Sequence, residues 1–183
     1  FFALDAFELK HERFDGTKTS TLQRAVFVGT DAAILLPYDS KRDRVLLVEQ
    51  MRMGPLGRGD PNLWQLEPIA GRVDAGETPQ ACAIREAEEE AGLTINHLEQ
   101  VCEAYPSPGC STEFFYQYVG LVDLPDNIVG ISGLETENED IRTHLLPFEA
   151  LMELVQSQQA ATVPLVTMAY WLAFHRDRLR GLT

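Results

Sequence analysis

The stretch GRVDAGETPQACAIREAEEEAGL, residues 71–93, decides how the rest of the chain is read. It predicts a helix with both ends marked. Thr78 suits the cap of the first turn, Pro79 the first helical position and Gly92 the stop. At about 100° per residue, Glu89 lies roughly 60° to one side of Glu86 and Glu90 roughly 40° to the other, so three carboxylates share an arc of about 100°. Ile84, Ala87 and Ala91 fall on a different side and are expected to face a sheet, with Glu88 near the edge of that apolar side. Like charges three and four residues apart destabilise a helix by roughly 0.2–0.5 kcal/mol per pair, and here they stand near the negative end of the helix dipole. Something cationic must compensate. Arg85 can pair with one carboxylate, and a hard divalent cation such as Mg²⁺ prefers oxygen ligands of this kind. A solvated acidic face is the bland alternative for the glutamates taken alone.

Working outward, β-type runs flank this helix. Residues 32–36 and 45–48 are compact apolar runs, and residues 64–70 are another. Strands recur near residues 98–104, 114–121 and 141–146. Residues 54–61 are rich in glycine and proline and are expected to form a loop. Residues 126–138 form a glycine-bearing acidic loop, and residues 148–156 and 164–178 close the chain as helices. Strands and helices interleave without strict alternation, which implies an α/β fold with a mixed sheet covered by helices on both faces. Residues 1–30 alternate polar and apolar side chains about a turn at Asp15 and Gly16, as a hairpin does. This opening is too short to bury a core alone. It is therefore read as a small antiparallel β segment, a candidate dimerisation element, set before a main domain of residues 31–183.

The composition agrees with one folded domain. Of 183 residues, 45% are hydrophobic and 23% charged, which excludes a disordered or low-complexity chain. The net charge of −13 repels a phosphate backbone, so nucleic acid is not an expected partner. Cys82, Cys102 and Cys110 are an odd count without close spacing, which indicates neither a disulfide framework nor a four-cysteine zinc site. The longest apolar run, residues 165–174, is far short of the ~20 residues needed to cross a bilayer. Asp5, Glu8 and Lys10 interrupt the apolar opening too early for a signal-peptide core. The expectation is a cytoplasmic protein with no membrane partner.

Glycine, five residues, glutamate, seven residues, then Arg-Glu-Ala-Glu-Glu-Glu-Ala-Gly-Leu resembles the Nudix box at Gly71, Glu77, Arg85, Glu86, Glu89, Glu90, Gly92 and Leu93. The resemblance implies an α/β/α sandwich with a mixed sheet, and hydrolysis of a nucleoside diphosphate linked to another group, with Mg²⁺ or Mn²⁺. Further features resemble the ADP-ribose pyrophosphatase branch. Pro108 stands fifteen residues beyond Leu93, between Ser107 and Gly109, and Glu113 follows. The segment Leu47-Val48-Glu49-Gln50-Met51-Arg52 is similar to the strand carrying a substrate-binding arginine.

Carried over position by position, the Ala70 carbonyl, Glu86, Glu90 and Glu139 would hold metal, with Glu89 joining directly or through water. Gly71, Glu77, Arg85 and Gly92 would be structural. Arg24, Arg52, Ser107, Pro108, Gly109 and Glu113 match substrate-contacting positions. The helix carboxylates spent on metal cannot also deprotonate a water, and residues 135–140 supply four acids in six positions. The family match assigns Glu137 as general base. The implied activity is hydrolysis of ADP-ribose to AMP and ribose 5-phosphate by a homodimer. Three alternatives stand beside it. Two are hydrolysis of another nucleotide sugar or of a dinucleotide. The third is a non-catalytic ADP-ribose sensor, although such a module is expected to have lost a box glutamate and this chain has lost none.

Overall fold

The structure is a computed structural model that describes residues 2–133 and 139–182. Strands β1 (Ala3–Leu9) and β2 (Leu22–Val28) pair antiparallel, from Ala3 opposite Val28 to Leu9 opposite Leu22. The expected turn lies at its tip, where Gly16 takes φ 80° and Asp15 accepts hydrogen bonds from the Thr17 amide and hydroxyl.

The remaining strands are β3 (Ala32–Asp39), β4 (Arg44–Met51), β5 (Trp64–Glu67), β6 (Ile69–Arg72), β7 (His97–Ala104), β8 (Phe115–Leu121), β9 (Ile131–Ser132) and β10 (Ile141–Pro147). Among the described residues they form one eight-stranded mixed sheet in the order β7-β8-β3-β4-β10-β9. β3 and β8 run parallel, and the other pairs are antiparallel. The sheet forks. The first half of β3 pairs with β6, whereas β4 pairs with β3 at its start and with β5 at its end. Pro68 separates β5 from β6, because proline has no amide to continue a ladder.

Side chains alternate across β3. Ala33 and Leu35 face helix α2 (Pro79–Ala91), while Ile34, Leu36 and Tyr38 face α3 (Phe148–Gln156) and α4 (Val163–Arg180). A strand buried on both faces reads as the continuous apolar run seen at residues 32–36. The α/β/α sandwich expected from the sequence is the architecture present.

Several expectations need correction. The run 64–70 is two strands, and the described part of 126–138, expected as a loop, holds a 3₁₀ turn at Asp126–Ile128 and β9. Residues 54–61 are not simply a loop, since α1 occupies Met53–Arg58. Pro55 falls in its first turn, where the missing amide costs nothing, and Gly59 ends it at φ 77°. In α2 the sheet-facing residues are Cys82, Ala83, Ala87 and Glu90, whereas Ile84 is 40% exposed. The small side chains bring the helix close to the sheet and turn the carboxylate arc inward.

Asp43 locks the layers together at the β3–β4 turn, in the left-handed region at φ 56° that aspartate tolerates. It accepts hydrogen bonds from the Tyr38 hydroxyl at 2.7 Å and from Arg176 Nε at 3.0 Å, and pairs with Arg180 at 2.7 Å. Burial pulls its carboxyl upward, but Arg176, Tyr38 and Arg180 together hold it below the ordinary 3.8. A depressed carboxyl stabilises the fold above its unfolded value, and that stability is lost as pH falls through the folded value. Asp43→Ala is expected to cost roughly 3 kcal/mol at neutral pH. It should also flatten the loss of stability below about pH 4. Urea titrations at pH 7 and pH 3 check both; an unchanged midpoint at pH 7 would refute the role.

Candidate active site

Local rules place the acidic helix. The Thr78 hydroxyl accepts the Ala81 amide at 3.2 Å, Pro79 opens α2, and Gly92 closes it at φ 61°. Arg85 then gathers three carboxylates, not one. Its Nε and Nη2 donate to Glu77 at 3.0 and 3.1 Å, and Nη1 donates to Glu86 at 2.6 Å and to Glu89 at 3.0 Å. Nη2 also reaches the Arg72 carbonyl at 3.2 Å, fastening the helix to β6. Arg85 and its hydrogen bonds hold Glu77 below the usual carboxylate range.

Gly71 is required by close approach. A Cβ there would stand 1.8 Å from Glu86 Oε1, so only glycine lets that carboxylate lie against the strand. Glu90 is 3% exposed, and its Oε2 is buried without a hydrogen-bond partner. Burial pushes the Glu90 carboxyl up to about 9, with Glu86 and Glu139 adding negative potential and Arg52 opposing. Burial likewise raises Glu86, against the pull of Arg85. Among the described residues no three His, Cys, Asp or Glu side chains close into a finished cage. The donor chemistry nevertheless suits a hard divalent cation: the charges of Glu86 and Glu139 bear on Glu90, whose Oε2 is buried with no proton donor.

A cleft of about 600 Å³ opens at the fork of the sheet. Arg52, Glu67, Ala70, Gly71, Arg72 and Glu113 line its polar wall, with Ile34, Phe115 and Pro164 among its apolar residues. Arg52 Nε donates to Glu67 at 2.6 Å. Glu113 packs so tightly on Gly29 that a Cβ there would meet its Cγ at 2.2 Å.

The structure places Glu86 and Glu139 near enough for their charges to bear on Glu90, while Arg52, Ala70, Gly71 and Glu113 line the cleft. Glu89 sits at the exposed rim in the grip of Arg85. Arg24 is exposed on β2, donates to the Gln23 carbonyl at 2.8 Å, and is not among the residues lining this cleft. Ser107, Pro108 and Gly109 are exposed and lead into the segment that docks the hairpin. There the Phe27 amide donates to the Cys110 carbonyl at 2.8 Å, and the Thr112 amide donates to the Phe27 carbonyl at 3.0 Å. Glu137 lies outside the described residues.

Sequence reasoning missed Glu67 and Arg72. Glu67 had a signal, a lone charge inside an apolar run and directly before Pro68. Arg72 had none, since it fills an unrestricted place after Gly71.

Comparison with known proteins now adds to the geometry. The family model described as NUDIX domain matches residues 29–166. An ADP-ribose pyrophosphatase of Escherichia coli (strain K12) is 36% identical over 181 residues, covering 99% of this chain and 86% of that protein. A GDP-mannose pyrophosphatase of Yersinia pestis (strain Pestoides F) is 34% identical over 149 residues, covering 81% of this chain and 72% of that one. A solved ADP compounds hydrolase superposes with a TM-score of 0.72 at 19% identity, over 98% of this chain and 88% of that structure, which speaks for the fold.

A carboxyl raised from 4.5 to about 9 stabilises the fold fully below the lower value, and that stability drains away as pH rises towards the upper one. With chelator present, Glu90→Gln is therefore expected to be more stable than the parent at pH 7, by on the order of 2 kcal/mol. The difference should shrink towards pH 4.5. Denaturant titrations at several pH values check this; a variant less stable at pH 7 would contradict the buried, partnerless environment.

Proposed function

The chain belongs to the Nudix hydrolase family, and we propose that within it this protein cleaves the diphosphate of ADP-ribose to AMP and ribose 5-phosphate. The observation that carries this choice is the likeness to ADP-ribose pyrophosphatases over 99% of the chain, hairpin included. The likeness to GDP-mannose pyrophosphatases covers 81% and keeps a GDP-sugar as the second reading.

A diphosphate resists hydrolysis because its negative oxygens repel a nucleophile. Bound Mg²⁺, or Mn²⁺ in its place, would neutralise that charge, orient the phosphates and make a water more acidic. Glu86, Glu90, Glu139 and the Ala70 carbonyl would hold it, with Glu89 direct or through water. Arg85 keeps Glu86 and Glu89 in place without adding to the anionic charge. Arg52, held by Glu67, offers a guanidinium to phosphate oxygens. Glu113 and the loop at Ser107, Pro108 and Gly109 contact the substrate, and Glu137 takes the proton from water. A cytoplasmic setting belongs to the same reading.

A homodimer completes it. All seven residues of β1 are exposed, among them Leu4, Phe7 and Leu9, with Phe2 just before them. A two-stranded hairpin is at best marginally stable by itself. We expect it to pack on a second copy, carrying Arg24 towards the partner's substrate. Light scattering should show the dimer at micromolar concentration; a compact 20.5 kDa species would overturn it.

Incubation with Mg²⁺ and a panel of nucleotide sugars, with products resolved by chromatography, should give AMP from ADP-ribose fastest. Faster turnover of a GDP-sugar would replace the substrate assignment. Glu86→Gln and Glu90→Gln should lower turnover by orders of magnitude in an intact fold. Glu137→Gln should lose about 10²–10⁴-fold that added Mg²⁺ does not restore. Glu139→Gln should recover part of its rate at high Mg²⁺. The opposite pattern in a Mg²⁺ titration would exchange the two roles.

A further inference from the structure

The last carbonyls of α2 have no intrahelical partner and need donors from elsewhere. At the stop the Leu93 amide donates to the Ala87 carbonyl at 3.0 Å and the Gly92 amide to the Glu88 carbonyl at 2.9 Å. The Glu90 carbonyl is met differently, by the hydroxyl of Ser132. Ser132 belongs to β9 and pairs with Ile141 at the head of β10, two residues after Glu139. The next residue, Gly133, takes φ 112°, in the range that favours glycine. A Cβ there would stand 2.8 Å from both the Cβ and the carbonyl oxygen of Glu139. Backbone cannot give way as a flexible side chain can. Glu90, Ser132, Gly133 and Glu139 thus form an unbroken line of contact from the helix to the segment that brings in the third carboxylate.

We infer that Ser132 and Gly133 are positioning residues, which fasten the Glu139 segment to the end of α2 and set how closely Glu139 approaches Glu86 and Glu90. This rests on the reading of those three glutamates as cation ligands. The physical need is plain. Three carboxylates repel one another, and a magnesium site demands near-octahedral geometry with narrow distance tolerance. Their separation must be fixed by contacts that bring no further charge. A hydroxyl on a helix carbonyl and a glycine against backbone meet that condition.

Direct binding of Mn²⁺ to the protein, followed by the electron paramagnetic resonance of the free ion, tests the inference independently of turnover. Supporting partners of metal ligands typically contribute about 10–100-fold in affinity. Ser132→Ala is expected to weaken Mn²⁺ binding by about tenfold. Ser132→Thr keeps the hydroxyl and should bind near the parent level. Glu139→Gln should also weaken binding, and adding Ser132→Ala to it should do no further harm, because the tie then has nothing left to position. The inference is overturned, with Glu139 still a ligand, by parental binding in Ser132→Ala, by a threonine variant as weak as the alanine one, or by losses that multiply in the double variant. Parental binding in Glu139→Gln would instead remove Glu139 from the ligand set, and the inference with it.

Discussion

The packing of α2 on β6 brings carboxylates against a sheet, and the rest of the site depends on how that is made tolerable. Cys82, Ala83 and Ala87 are fully buried and small, so the helix comes close. Gly71 yields the space that the Glu86 carboxylate fills. Arg85 spreads one positive charge over Glu77, Glu86 and Glu89 while gripping the Arg72 carbonyl. Remove the guanidinium and three carboxylates are left to repel each other, a loss that a neutral side chain of the same size cannot offset. Arg85 is thus a structural residue whose effect is chemical: it keeps the helix docked and leaves Glu90 as the carboxylate with an unanswered oxygen.

The forked sheet supplies the other half of the arrangement. Because β3 changes partner from β6 to β4 along its length, the strands on either side of Pro68 diverge and leave the cleft between them. Glu67 stands at that break with Arg52 hydrogen-bonded to it, and their charges act in opposite senses on Glu90. Helix carboxylates and the Arg52 guanidinium come near one another because one strand ladder ends where another begins. The hairpin joins this edge through Phe27, Cys110 and Thr112, so its orientation is coupled to the loop entering β8.

The sandwich was legible because its signals are local: caps at Thr78 and Gly92, an apolar run at residues 32–36, a turn at Asp15 and Gly16. The box glutamates and Arg85 were legible by spacing. The direction in which α2 faces was not. A helical wheel gives angles between residues but no origin, so Ile84 reads as part of the sheet face, whereas packing puts the smallest side chains there. Glu67 escaped because its lone charge before Pro68 marks the position without showing that two strands part there. Ser132 and Gly133 escaped because a two-residue strand has no periodicity to read. Conversely, α1 hid in a glycine- and proline-rich segment because Pro55 and Gly59 fall where a helix accepts them.

Carboxylates wholly or partly buried also occur away from the cleft, and they contrast with Glu90. Asp39 is 2% exposed, yet it accepts the Lys41, Arg42 and Leu124 amides and the Arg42 guanidinium. Asp43 answers to Tyr38, Arg176 and Arg180. Both are held below the ordinary aspartate value although burial alone acts upward, because proton donors converge on them. Glu90 is buried to the same degree as Asp39, with an oxygen that no donor reaches and with Glu86 and Glu139 nearby, so its carboxyl moves the other way. Asp39 and Glu90 are equally buried and Asp43 is half-buried, so burial does not separate them. What separates them is whether the fold supplies the positive partner itself: at Asp39 and Asp43 it does, and the residue serves stability. At Glu90 no described residue donates to Oε2, and the carboxyl is pushed up, at a cost to the fold whenever it is ionised.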